Sequence, residues 1–160
     1  MKPSIENSGL NRIEKKAIEA LAVAPVIRAL SQRIGREDAL AILQEVNQHE
    51  AFQRGQHLME KTRQNGIDEL VHEVLSWGEG GSWEMDVIEH TPMTYFFNVT
   101  RCPYYEKYRE LGLEEFGVEF SCCRDEPFAR GFNPQLKLVR TQTIMEGAEH
   151  CDFRYSLNST

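Results

Sequence analysis

The sequence predicts an α+β fold: an N-terminal helical layer followed by a ββααββ unit whose four strands form one antiparallel sheet. Three observations predict it. Apolar residues recur at helical spacing through the first half. The glycine run Gly78 to Gly81 marks a change of texture, and beyond it two pairs of strand-like segments flank short helical ones. The 160 residues are 41% apolar and 27% charged, enough to form a core without metal or disulfide.

From Leu10, the positions Ile13, Ala17, Leu21, Ile27, Leu30 and Ile34 make one apolar helical face. Pro25 is expected to kink this run or divide it, and Gly35 to stop it. A second helix is expected from Glu37 to about Gln64, carrying Ala39, Ile42, Leu43, Val46, Phe52 and Leu58. Asn65-Gly66 ends it, and Ile67 to Trp77 forms a short third helix.

Trp83 to Glu89 largely alternates and reads as a strand; Thr91-Pro92 turns the chain into a second, aromatic-rich strand over Thr94 to Thr100. Pro103 suits the first turn of a helix running to Leu111 and stopped at Gly112. Leu113 to about Arg124 is expected to be another helix, and Asp125, two residues before Pro127, to cap a further helical turn. Gln135 to Ile144 and Cys151 to Leu157 read as a closing hairpin around Glu146-Gly147. The expectation is a single domain over 1–160, with 10–77 as helical layer and 83–157 as the sheet-containing part.

Charge and composition exclude several classes. The net charge is −7, and residues 76–160 hold 8 Lys+Arg against 14 Asp+Glu. An acidic half without a basic stripe argues against nucleic acid as partner. No apolar run is long enough for a membrane span, and Met1 to Gly9 has no signal-peptide core, so a cytoplasmic protein is expected. Phosphate-binding glycine loops and the G-x-S-x-G serine motif are absent. His49 and His57 read as a solvated helix face. The apolar area on the long helices leaves a homodimer open.

All four cysteines lie in the acidic half: Cys102, Cys122, Cys123 and Cys151. They include no C-x-x-C pair, so spacing signals no zinc site. The plain reading of each is a small buried apolar residue. The functional reading rests on position. Cys102 ends a strand before a Pro-initiated helix, whose dipole is expected to lower its pKa. Cys122 precedes Asp125 by one helical turn, and Cys151 opens the last strand beside Asp152. Arg140 and Arg154 fall in the closing strands, suited either to a substrate carboxylate or to cross-strand pairing.

The strings Asn98-Val99-Thr100-Arg101-Cys102-Pro103-Tyr104, Cys122-Cys123-Arg124-Asp125, Leu138-Val139-Arg140-Thr141, and Gly147 with Cys151-Asp152-Phe153-Arg154-Tyr155 resemble the L-2-amino-thiazoline-4-carboxylic acid hydrolase family. The resemblance spans residues 83–157 and implies a small-molecule substrate. Water would add to the ring carbon between sulfur and two nitrogens, the C–S bond would break, and N-carbamoyl-L-cysteine would leave. In that chemistry Asp125 pairs with the amidinium or serves as general base. Cys122 or Cys102 attacks the carbon, unless water attacks directly. Arg140, or failing that Arg154, holds the carboxylate, with Cys151 and Asp152 also at the substrate. No cofactor is expected, although a zinc ion held by Cys102, Cys122 and Cys151 is a further route. A small-molecule or redox/metal-sensing binding domain without turnover is the competing class.

Overall fold

The computed structural model describes residues 9–81 and 83–158. The polar stretch at 1–8, read above for the absence of a signal peptide, lies outside them.

Helix α1 (Arg12–Ile34) starts at a capping box: Asn11 Oδ1 accepts the Glu14 N–H at 2.9 Å, and Glu14 Oε2 accepts the Asn11 N–H at 2.8 Å. Pro25 lies inside α1 and does not divide it. Pro25 and Leu21 are both exposed, so the carbonyl that proline leaves unpaired can face water. Gly35, at φ 95°, ends α1 and leads straight into α2 (Arg36–Thr62). Small residues line the seam between the two helices, Ala20 and Ala24 of α1 with Ala39 of α2, and Leu43 packs beside them.

Helix α3 (Ile67–Ser76) buries Ile67, Leu70 and Val74 against the sheet. The strands are β1 (Glu84–His90), β2 (Thr94–Arg101), β3 (Leu136–Val139) and β4 (Cys151–Leu157). They form the expected antiparallel sheet, in the order β1-β2-β4-β3. Register pairs Tyr95 with Tyr155, Phe97 with Phe153 and Val99 with Cys151. These six side chains are buried on one sheet face and form the centre of the main core, with Phe97 and Phe153 stacked at 4.8 Å. The alternating residues Asn98, Asp152 and Arg154 point to the other, partly exposed face.

Helix α4 (Pro103–Glu110) begins at its proline, as expected. The continuous helix expected from Leu113 to Arg124 is instead a 3-10 turn at Glu114–Phe116, a single α turn, α5 (Gly117–Phe120), and a second 3-10 turn at Cys122–Arg124. Ser121 leaves helical geometry at φ −129°, and its hydroxyl is pinned 2.9 Å from the Tyr108 hydroxyl. Asp125 opens α6 (Asp125–Phe132) as its first residue, with helical dihedrals, rather than capping it. Pro127 falls in the first turn, where its missing N–H leaves no hydrogen bond unmade.

Helix α6 lies directly on α2. A Cβ on Gly55 would stand 2.2 Å from the Phe128 carbonyl oxygen, and one on Gly131 would stand 2.1 Å from that of Phe52. Two glycines therefore set the spacing that places Asp125.

Strand β3 is shorter than the expected Gln135 to Ile144. The Asp152 Oδ1 accepts the N–H groups of Thr141 and Gln142, both at 2.9 Å, drawing the chain out of the ladder. A 3-10 turn at Ile144–Glu146 then leads through Gly147, at φ 94°, towards β4.

Candidate active site

One cavity of about 110 Å³ opens between the helical layer and the core face of the sheet. The end of β2 brings Cys102, the 3-10 turn before α6 brings Cys122, the start of α6 brings Asp125, the exit of β3 brings Arg140, and the start of β4 brings Cys151. Five residues read from separate stretches of sequence thus line a common wall. Trp77, Trp83, Val99, Phe128, Met145 and Phe153 give it apolar surface.

The Arg140 guanidinium is bonded through Nη1 to Asp125 Oδ2, and the two side chains are only 16% and 19% exposed. Its Nη2 donates to the Cys122 carbonyl at 2.9 Å, and the guanidinium lies over the Phe153 ring at 5.2 Å. Arg140 is therefore a brace that ties the acid, the Cys122 turn and the sheet together. Burial raises the Asp125 pKa above the usual carboxylate range, although Arg140 pulls it the other way. Asp125 Oδ1 has no hydrogen bond to the described residues.

The thiols are neutral in this setting. Burial pushes Cys102 up to about 11, against the opposing pull of the Tyr105 and Tyr104 amides. The dipole effect expected to lower its pKa is real in sign but loses to desolvation. Burial, reinforced by Asp125, raises Cys122 well above its ordinary value. Cys151 is also raised by burial, and its sulfur accepts the Ile144 N–H at 3.2 Å. Among the described residues, no three His, Cys, Asp or Glu side chains come together in a way that could hold a metal ion. Cys123 faces elsewhere and donates its S–H to the Glu119 carbonyl at 3.0 Å.

Two residues read as substrate-binding lie away from the cavity. Arg154 bonds the Phe97 and Phe153 carbonyls at 2.9 and 2.8 Å and Asn98 Oδ1 at 2.9 Å, on the opposite sheet face. Strand alternation puts it there, because Phe153 and Tyr155 face the core. Asp152 shares that parity and is occupied with the Thr141–Gln142 turn. Burial works to raise its carboxyl, and the hydrogen bonds from Thr141 and Gln142 together outweigh it and lower its pKa.

The cavity also holds residues that the sequence reading passed over. Arg12 and Lys16 come from α1, Arg54 from α2, and Arg124 from the turn before α6. Much of the cationic wall thus comes from the first half of the chain, beside candidate residues that all lie in the second. Arg12 and Lys16 lie four apart on α1, a spacing that shares a helix face but does not reveal what the face meets.

The fold and this pocket define a class: an α+β protein with a cavity in which a paired carboxylate stands beside one buried and two half-buried thiols. Residues 15–155 match the family described as L-2-amino-thiazoline-4-carboxylic acid hydrolase. The match covers most of the chain, and the chain belongs to this family. No curated protein matches it significantly. Among solved structures it is similar to a trafficking protein particle complex subunit 3 from Naegleria fowleri, covalently bound to palmitic acid. That likeness has a TM-score of 0.52 at 8% identity, covering 91% of this chain and 96% of the other. At such identity the likeness is one of fold alone. Among the described residues no helix is long and apolar enough to cross a membrane.

Proposed function

We propose that the chain is a hydrolase that opens a small cyclic amidine-like substrate of the 2-amino-thiazoline-4-carboxylate type to an N-carbamoyl-cysteine-type product. The observation that carries this reading is the buried Asp125–Arg140 pair beside Cys122 and Cys102 in one cavity. The reaction needs a proton acceptor, a nucleophile and a dry wall for the ring. Asp125 supplies the first through its unbonded Oδ1, and its raised pKa makes it a stronger base than an ordinary carboxylate.

In the covalent route the Cys122 proton passes to Asp125 as the sulfur adds to the ring carbon. The ring C–S bond breaks, and the departing sulfur takes that proton. Water, deprotonated by Asp125, then adds to the same carbon; the Cys122–carbon bond breaks, the enzyme thiol recovers its proton from Asp125, and the added hydroxyl's remaining proton moves to the amidine nitrogen, leaving the carbamoyl C=O. Cys102 is the alternative nucleophile from the same wall.

A second route has one observation in its favour: the thiols are held neutral by burial. There, Asp125 activates water for direct attack, and the cysteines only shape the pocket. All four cysteines are free thiols, which suits a reducing cytoplasm. Incubation with L-2-amino-thiazoline-4-carboxylate tests the reading: free thiol should appear in proportion to enzyme. Tight binding without thiol release would favour a ligand-binding role instead.

A further inference from the structure

The cavity carries more positive charge than the Asp125 chemistry uses. Asp125 is the one carboxylate among its described lining residues, and Arg140 occupies it. Four other cations line the wall: Arg12, Lys16, Arg54 and Arg124. Two of them have carboxylate partners of their own. Lys16 pairs with Glu19, and Arg124 Nη1 donates to Glu50 at 2.7 Å and to Asn47 at 3.0 Å.

Arg12 and Arg54 have to share. Glu73 Oε1 accepts Arg12 Nη2, Arg54 Nη2 and Trp77 Nε1, each at 3.1 Å. Two guanidiniums on one carboxylate leave a net charge of +1. Arg12 also donates through Nη1 to the Ser76 hydroxyl at 3.0 Å, whereas Arg54 commits Nη2 alone. Its Nη1 and Nε donors make no hydrogen bond to the described residues. Burial, then repulsion from Arg12, lowers the Arg54 pKa, with Glu73 pulling the other way.

We propose that Arg54, oriented by Glu73 and reinforced by Arg12, is the anchor for a substrate carboxylate, so that the site selects small monocarboxylates. This rests on the hydrolase reading and deepens it. Nη2 keeps one hydrogen beyond its bond to Glu73, and that hydrogen, with the free Nη1 or Nε donor beside it, forms the planar fork that matches a carboxylate in a bidentate contact. It also takes over the task expected of Arg140 or Arg154. The first is committed to Asp125 and the Cys122 carbonyl, and the second lies across the sheet. Trp77, bonded to the same Glu73 oxygen as Arg54, and Trp83 line the cavity together with the thiols.

The chain's two tryptophans both line the cavity, so intrinsic fluorescence reports on its occupancy. Titration with L-2-amino-thiazoline-4-carboxylate and with its neutral carboxamide should show the acid binding about tenfold tighter or more, the scale of a charge-assisted pair. Arg54→Gln should bring the two affinities within about twofold, and Arg54→Lys should restore part of the gap. Arg54 is partly exposed, so these replacements do not open the core. Failure of the acid to bind, equal binding of acid and amide by the unsubstituted protein, or an undiminished preference in Arg54→Gln would overturn the proposal. If acid binding depends on Arg54 but no thiol is released, the anchor stands and the hydrolase reading falls. If Arg54→Gln releases thiol with unchanged kcat/KM, the reverse holds.

Discussion

Asp125 and Arg140 are bonded to each other at the wall of the cavity, with each side chain less than a fifth exposed. Removing one partner strands the other in a poorly solvated site. Arg140→Gln is expected to destabilise the protein by about 3–5 kcal/mol and to abolish turnover, because the Cys122 turn loses its brace too. Combining Asp125→Asn with Arg140→Gln should recover much of the stability and none of the activity. Thermal melts of the two single variants and the double variant provide the check; additive losses would mean that the pair is not coupled.

The cysteines should separate by role. If Cys122 is the nucleophile, Cys122→Ala stops turnover while Cys102→Ala retains it; retained turnover in both leaves direct water attack. Alkylation gives an independent reading for Cys102, whose pKa is pushed up to about 11. At pH 7.5 an ordinary thiol of pKa about 8.5 holds several hundredfold more thiolate, so iodoacetamide labelling of Cys102 should be slow. The rate should rise about tenfold per pH unit until pH approaches 11. Mass spectrometry of labelled peptides measures this.

Asp152 and Arg154 should prove structural. Asp152→Asn weakens the hydrogen bonds to Thr141 and Gln142 and is expected to cost about 1–3 kcal/mol without changing KM. Arg154→Ala should likewise lower Tm and leave KM intact. A large rise in KM from Arg154→Ala would return that residue to the substrate.

Most of the fold was legible because it rests on local signals. Gly35, Gly66 and Pro103 sit at helix boundaries, and the alternation of Tyr95, Phe97 and Val99 marks the buried sheet face. What failed locally failed for long-range reasons. Asp152 shortens β3 from the neighbouring strand, and Tyr108 pins the break at Ser121 from α4. The cysteines, Asp125 and Arg140 could be picked out by position, but their pairing could not. Sequence offered a helix dipole at Cys102, whereas burial decides its protonation, and burial depends on everything packed around it. Arg54 carried no signal at all, since its significance lies in sharing Glu73 with a residue 42 positions earlier.

Gly131 should be among the least replaceable residues. Gly131→Ala forces α6 away from the Phe52 carbonyl, at an expected cost of about 1–3 kcal/mol and a Tm lower by about 2–12 °C. Because Asp125 rides on α6, kcat should fall more than KM changes. Unchanged stability would mean that the helices can part freely.

The most direct measurement is thiol release from L-2-amino-thiazoline-4-carboxylate by the unsubstituted chain and by Asp125→Asn, both verified as folded. The chain should release one thiol per substrate, and the variant should be slower by about 100-fold or more, the usual worth of a general base. Equal rates in the two proteins would remove Asp125 from the chemistry. Silence from both would contradict the hydrolase reading itself.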